Sequence, residues 1–157
     1  MKRSLNIRIL ALAISLLLGS LPVVAAERPF ALNGNGVGTF ITDGAGNIIG
    51  ANVTASGTAT HLGMWTAVGS VQFTPDPNNP GRLLSSGAAT ITAANGDNLQ
   101  VKFNGNLDPA AGLDTGVIQF VGGTGRFAGA TGLGDFVVQI NPLTGAFKTT
   151  AVGKINF

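Results

Sequence analysis

Apolar and polar residues alternate along most of the chain with a period of two. Trp65, Val71 and Phe73 share one face with the small residues between them, and Leu99 and Val101 repeat the pattern later in the chain. A period of two places alternate side chains on opposite faces of a β-strand, whereas an amphipathic helix has a period of 3.6. Since every clear pattern has period two, the sequence predicts an all-β fold.

Eight segments carry this alternation, and they are separated by connections rich in glycine, proline and asparagine. They are Phe30 to Thr42, Asn47 to Thr60, Met64 to Thr74, Leu83 to Ala93, the strand that contains Leu99 to Asn104, Thr115 to Val121, Leu133 to Ile140 and Ala146 to Phe157. Short connections make neighbouring strands antiparallel, and an even number of strands lets the last pair with the first. We therefore predict an eight-stranded antiparallel up-and-down barrel, whose closure removes exposed sheet edges.

The interior of such a barrel is either filled by side chains or wide enough for one small ligand. The single tryptophan and the nine phenylalanines are expected to line it, eight of the phenylalanines from within strands. The first interpretation of these aromatic side chains is that they pack in the core. The candidates for contact with a ligand are Trp65, Phe73, Phe103, Phe120 and Phe136. A small-molecule pocket usually has a volume of at least ~300 Å³.

Residues 1–26 have the pattern of a secretory signal peptide. A basic start is followed by an apolar run, Ile9 to Leu18, and by the small residues Val24-Ala25-Ala26. The apolar run is shorter than the ~20 residues of a membrane-spanning helix. We predict cleavage after Ala26, which leaves 27–157 as a single barrel domain in the periplasm or outside a bacterial cell.

Cleavage changes the charge of the protein. The full chain has nine Lys and Arg against seven Asp and Glu, and three of the cations (Lys2, Arg3 and Arg8) belong to the signal peptide. Six cations then face seven anions, a net charge of −1, and no basic patch remains between Arg28 and Lys154. This distribution argues against a nucleic-acid partner and against an anionic membrane surface. The chain has no cysteine, so disulfides and thiolate chemistry are excluded.

A glycine-rich stretch, Gly122 to Gly132, precedes the seventh predicted strand. Its portion Gly123 to Ala128 fits the G-x-G-x-x-A dinucleotide pattern, which requires a helix to hold the pyrophosphate. Three glycines within 129–134 would cost such a helix about 1 kcal/mol each. We therefore predict a connection between strands and no nucleotide cofactor.

The pattern Gly-Gly-Thr-Gly-x-Phe-x-x-Ala-x-Gly at Gly122 to Gly132 resembles the signature of dirigent proteins, which are related to the allene oxide cyclases. Thr60-His61-Leu62-Gly63 and Ala94-Asn95-Gly96-Asp97 also resemble a group of secreted bacterial proteins with the same barrel and no settled function. The resemblance implies a calycin-like, eight-stranded antiparallel barrel. It also implies a homo-oligomer, a trimer as in many relatives, and raises cofactor-independent isomerisation or cyclisation as an activity.

Two residues are candidates for chemistry. His61 is the only histidine, and it could act as an acid or base. Arg126 is the only charge in the glycine-rich stretch, and it could hold a carboxylate or an enolate-like oxygen. A structural role is the stronger expectation for both, with Arg126 paired to Asp135 or Asp114. One histidine and no cysteine exclude a zinc cluster of the usual kind, and no calcium-loop motif occurs, so no metal site is predicted.

Three functions remain open. The favoured one is an exported soluble barrel that binds a small apolar molecule in or at the mouth of the barrel without altering it. The first alternative is an isomerase or cyclase of the allene oxide cyclase or dirigent kind. The second is a small outer-membrane barrel, suggested by Phe157 with Ile155, Ala151 and Phe147 on one face. One tryptophan and no tyrosine make a poor aromatic girdle for that alternative.

Overall fold

Eight strands follow one another in a computed structural model that describes residues 26–157. The predicted signal peptide thus lies outside the described residues apart from Ala26. The strands are β1 (Arg28–Thr42), β2 (Ile48–Ala59), β3 (Gly63–Pro75), β4 (Leu83–Ala93), β5 (Asn98–Asp108), β6 (Leu113–Gly123), β7 (Thr131–Ile140) and β8 (Ala146–Asn156). All eight predicted strands are confirmed, with ends that differ by a few residues.

The strands form a closed barrel in sequence order, and every neighbouring pair is antiparallel. The first and last strands pair from Arg28↔Ile155 to Val37↔Ala146. Closure leaves no strand with a row of unpaired backbone groups, which a glycine-rich sheet would otherwise expose to other chains. The predicted fold class, an all-β eight-stranded antiparallel up-and-down barrel, is therefore confirmed.

The glycine-rich stretch forms a single turn of 3-10 helix, Gly125–Phe127, between β6 and β7. It is the one helical element among residues 26–157. The pattern Gly123 to Ala128 is therefore not followed by the long helix that the dinucleotide motif requires. The side chain of Phe127 is fully buried.

The aromatic side chains gather inside the barrel, as the alternation predicts. Seven phenylalanines lie in strands and point inward, namely Phe30, Phe40, Phe73, Phe103, Phe120, Phe136 and Phe147. The expectation of eight was wrong by one residue, because β8 ends at Asn156 and Phe157 lies just beyond it. Phe127 and Phe157 instead pack against each other at one end of the barrel, with ring centroids 5.0 Å apart and an angle of 58° between the ring planes.

Inward-facing glycines make room for these rings. A Cβ atom at Gly34 would collide with the Trp65 ring, and one at Gly87 would lie 2.5 Å from Cζ of Phe103. Each ring therefore lies across the bare backbone of a nearby strand. This packing gives a physical reason for several of the glycines in the strands.

The two ends of the barrel differ. At one end, here called the closed end, the connections supply Leu62, Phe127 and Ala130, which are fully buried among the strand residues. At the other, the open end, the turns 43–47, 76–82, 109–112 and 141–145 contribute no buried apolar side chain. Inward-facing Phe40 and Phe147 are only half-buried near this end. The interior is therefore plugged by connections at the closed end, whereas towards the open end only strand residues, with Ala51, Val71, Phe73 and Leu107 as their buried cluster, border it.

The residues that suggested an outer-membrane barrel face the interior. Ala151 and Ile155 are buried, and Phe147 lines the interior cavity described below. They therefore provide no apolar band on the outer wall, which is what an outer-membrane barrel needs. Within 26–157, no helix has the length and hydropathy to cross a membrane.

Candidate functional site

A cavity of about 160 Å³ lies inside the barrel between the closed-end core and the open end. Its walls are almost entirely apolar and come from all eight strands. Small inward residues such as Ala55, Ala67 and Ala89 form its middle, where larger side chains would fill the space. The cavity exists because β2, β3 and β4 carry alanine or glycine at inward positions that are opposite the aromatic residues of the other strands.

Four of the five predicted ligand-contact residues line this cavity. They are Trp65, Phe73, Phe103 and Phe136. Phe120 does not line it, because its ring packs edge-on against Phe30 with centroids 4.7 Å apart, in the closed-end core. Alternation determines which face of the sheet a residue occupies, but its height along the barrel depends on strand register. That height determines whether the side chain reaches the cavity or the closed-end core.

One carboxyl group, that of Asp114, faces this apolar interior. Asp114 is buried, and Ser85 Oγ donates a hydrogen bond of 2.9 Å to its Oδ1 atom. The two residues lie on β6 and β4, with Gly105 of β5 between them. A Cβ at Gly105 would lie 2.7 Å from Asp114 Oδ1 and 2.8 Å from Ser85 Oγ. The glycine therefore allows the two side chains to meet across the intervening strand.

Burial raises the pKa of Asp114 above the ordinary value for aspartate, because the ionised form loses its hydration in the apolar interior. The hydrogen bonds from Ser85 and from the Thr115 backbone favour the ionised form and oppose this effect, but they are weaker than the desolvation. Asp114 is the one titratable residue among those that line the cavity. The site therefore combines an apolar volume with one carboxyl group poised to hold or donate a proton.

A second polar group of the cavity wall has no partner. The Nε1 atom of Trp65 is buried without a hydrogen bond within the described part of the chain. Buried donors of this kind are uncommon, since leaving one unpaired costs about 1–3 kcal/mol. The ring is fixed by its position across Gly34.

His61 lies at the closed end, away from the cavity. Its Nε2 atom donates to the Pro29 carbonyl over 2.9 Å, and its ring packs against Phe157 with centroids 5.4 Å apart. The residue has a φ of 65°, the left-handed backbone conformation of the turn between β2 and β3. These contacts link that turn to both termini of the barrel, and they do not direct the imidazole at the cavity.

Arg126 also lies at the closed end, and the prediction that it pairs with Asp135 or Asp114 was wrong. Its Nε atom is 3.8 Å from Asp97 Oδ2, whereas Asp135 lies on the outer wall and Asp114 in the interior. Asp97 belongs to the β4–β5 turn and also accepts a hydrogen bond from the Arg126 backbone over 3.3 Å. A Cβ at Gly125 would collide with this carboxylate, so the glycine-rich stretch can dock on the turn only with glycine there.

The sequence did contain a signal for Asp114. The sixth predicted strand started at Thr115, but the alternation of Gly116, Ile118 and Phe120 extends backwards to Asp114 on the inward face. Following the period two residues further would have placed a carboxylate inside the barrel. Within 26–157, no group of three or more His, Asp or Glu residues is arranged to hold a metal ion.

No protein-family model matches the chain, and no curated protein matches it. Among solved structures, the chain is similar to the pterocarpan synthase dirigent protein GePTS1. The identity is 13%, the match covers 83% of this chain and 86% of that chain, and the TM-score is 0.49. A likeness of this degree carries no conclusion about activity. The chain forms an eight-stranded barrel with an apolar, acid-containing interior.

Proposed function

We propose that this protein binds a compact apolar molecule inside the barrel, and that the molecule enters at the open end. The observation that carries the proposal is the apolar cavity of about 160 Å³ beneath the half-buried rings of Phe40 and Phe147. An empty apolar cavity leaves its lining atoms without contacts, and a ligand that fills it restores them. The proposed setting is the periplasm or the exterior of a bacterial cell, because of the signal-peptide pattern.

The size of the cavity limits the ligand. Its volume is about half of the ~300 Å³ expected for a pocket that holds a drug-sized molecule. An engineered cavity of about 150 Å³ with aliphatic and aromatic walls binds benzene. The proposed ligand is therefore a molecule with about the bulk of a single six-membered ring, or one such ring at the end of a longer molecule that extends through the open mouth.

A second function, isomerisation or cyclisation without a cofactor, is favoured by Asp114. A carboxyl group whose pKa is raised by burial stays protonated at higher pH and can act as a general acid. Asp114 meets the cavity directly, whereas His61 and Arg126 do not. In this proposal Asp114 protonates an oxygen of a bound intermediate, and Ser85 orients the carboxyl group through its hydrogen bond. The apolar walls would then exclude water from the reactive intermediate.

The fluorescence of Trp65 tests binding directly, because it is the only tryptophan and lines the cavity. We expect titration with benzene, toluene or cyclohexanone to change its emission in a saturable way. Ala89→Leu fills the cavity from the inward face of β4 and should abolish the change. Ala88→Leu is the matched control, since Ala88 is the neighbouring residue on the outward face, and it should leave the change intact.

Equal fluorescence responses of the Ala89→Leu and Ala88→Leu variants, or no saturable response of the wild-type protein, would contradict interior binding. Asp114→Asn separates the two proposed functions. If the protein only binds apolar molecules, this variant retains the fluorescence response. Loss of turnover with binding retained would identify the catalytic alternative.

A further inference from the structure

Asp135 lies on the outside of β7 at the centre of four exposed aliphatic side chains. Val117 of β6 is its cross-strand partner on one side, and Val152 of β8 is the partner on the other. Leu133 and Val137 precede and follow it on the same face of β7. Directly paired side chains in a sheet have Cβ atoms about 4.5–5.5 Å apart, so Val117 and Val152 flank the carboxylate most closely. Leu133 and Val137 flank it along β7, and Lys154, the cross-strand partner of Leu133, lies diagonally beyond this ring. We call this surface the ringed acid.

All four aliphatic side chains of the ring are exposed. The exposed fractions are 46% for Val117, 59% for Leu133, 44% for Val137 and 60% for Val152. Asp135 forms no ion pair with any residue in 26–157. A cluster of aliphatic side chains around an unpaired charge is therefore turned towards solvent. Contiguous apolar patches on a soluble surface commonly mark an interaction site.

The chemistry of the ringed acid defines what can cover it. A purely apolar partner would desolvate the carboxylate without compensation, and that is costly. A purely polar partner would leave the aliphatic ring unburied. A cation surrounded by apolar groups satisfies both, because the ring then excludes water from the charge pair, as at the hot spots of protein interfaces.

We propose that the ringed acid docks a segment of another protein that presents an arginine or lysine between two aliphatic residues on one face. An extended strand offers this arrangement when the aliphatic residues are two positions before and after the cation. Arginine fits better than lysine, since its guanidinium can bind both carboxylate oxygens and is more weakly hydrated.

The chain itself does not supply such a segment from its outer wall. Lys102 lies between Gln100 and Asn104 on its face, and Lys148 lies between Ala146 and Thr150. Lys154 already pairs with Glu27 at 3.0 Å. Two copies stacked symmetrically on this surface would bring their Asp135 carboxylates together, which is repulsive. A different chain that carries such a segment would cover the ringed acid without this repulsion.

The test uses two synthetic peptides, acetyl-Val-Thr-Arg-Thr-Val-amide and the same peptide with Glu in place of Arg. Titration of the ¹⁵N-labelled protein should shift the amide signals of Val117, Leu133, Asp135, Val137 and Val152 with the arginine peptide. The glutamate peptide should bind at least about tenfold more weakly. The arginine peptide should also bind more weakly at high salt, because its charge pair is partly screened.

Two variants test the parts of the ringed acid, and one is a matched control. Asp135→Asn should remove the preference for the arginine peptide, and Val152→Thr should weaken its binding. Val68→Thr makes the same change on the outside of β3 at a valine of almost equal exposure, and it should have no effect.

Three outcomes would overturn the proposal. One is that the amide signals of the ringed acid do not shift at peptide concentrations up to millimolar. Another is equal affinity of the protein for the two peptides. The third is self-association of the protein that Asp135→Asn abolishes, which would identify a second copy as the occupant.

Discussion

Ser85 and Asp114, which are 29 residues apart in the chain, form a buried hydrogen bond of 2.9 Å inside the barrel. The hydroxyl donates, and the carboxyl oxygen accepts across the bare backbone of Gly105. Through Asp114 this pair brings the one titratable group to a mostly apolar cavity wall. It is assembled from three strands, β4, β5 and β6, so it exists only when their register is correct.

The raised pKa of Asp114 predicts how the stability of the protein depends on pH. Between the ordinary aspartate value, about 3.9, and the raised pKa in the folded state, the folded protein holds a proton that the unfolded chain has lost. The free energy of unfolding therefore falls as the pH rises through this window. Asp114→Asn removes the effect, so the variant should gain stability over wild type as the pH is raised.

Thermal unfolding of both proteins between pH 4.5 and 8 measures this difference. Asp43 and Asp76 do not interfere, because hydrogen bonds in their turns, with Asn47 and Asn79 as the main donors, lower their pKa values below this range. A constant difference in melting temperature over the whole range would show that Asp114 does not titrate differently in the folded state.

Gly105→Ala should destabilise the barrel by about 1–3 kcal/mol, the usual cost of an overpacked core. The added methyl group would lie within 2.8 Å of Asp114, Ser85 and Phe136 at once, so it must separate the hydrogen-bonded pair or move the ring. Gly44→Ala is the control, since nothing lies within 4 Å of its position in the β1–β2 turn. Urea unfolding of the two variants measures the effect. Similar losses of unfolding free energy in Gly105→Ala and Gly44→Ala would contradict the close packing around Gly105.

Asp97→Ala should loosen the closed end more than Arg126→Ala does. Asp97 accepts hydrogen bonds from Asn95 Nδ2 and from the Arg126 backbone, so its loss removes one attachment of the glycine-rich stretch and costs about 1 kcal/mol. The Arg126 side chain contributes a long, partly exposed ion pair, which is worth about 0.5 kcal/mol or less. Its guanidinium also lies 5.0 Å from the centroid of the Phe127 ring, but neither contact involves the backbone of the stretch. Amide hydrogen exchange at Phe127 and Ala130 should accelerate in the first variant and change little in the second. The reverse order would show that the ion pair, and not the turn carboxylate, attaches this stretch.

Sequence reasoning succeeded where structure is local and periodic. Inward positions such as Trp65 and Phe73 follow from the two-residue alternation, and the turns follow from signals such as Asn95-Gly96. Closure of β1 on β8 follows from an even number of strands with short connections. Each of these properties can be deduced from neighbouring residues alone.

The wrong partner of Arg126, the misplaced Phe120 and the missed Ser85–Asp114 pair depend on how separate strands and connections meet. The partner of Arg126 is Asp97 because the β4–β5 turn and the glycine-rich stretch lie at the same end of the barrel. Phe120 belongs to the closed-end core because of its height on β6, and Asp114 meets Ser85 only through the gap at Gly105. Periodicity assigns the face of a side chain, but it does not give the heights at which two strands meet.

Nuclear Overhauser contacts between toluene and the methyl groups of the folded protein test most directly whether the barrel interior is hollow. We expect contacts from toluene to the inward methyl groups of Ala67, Val71 and Ile118, and none to the outward methyl groups of Val68. The contacts should disappear in Ala89→Leu and persist in Ala88→Leu. Contacts confined to outward methyl groups, or no contacts at saturating toluene, would contradict an accessible apolar interior.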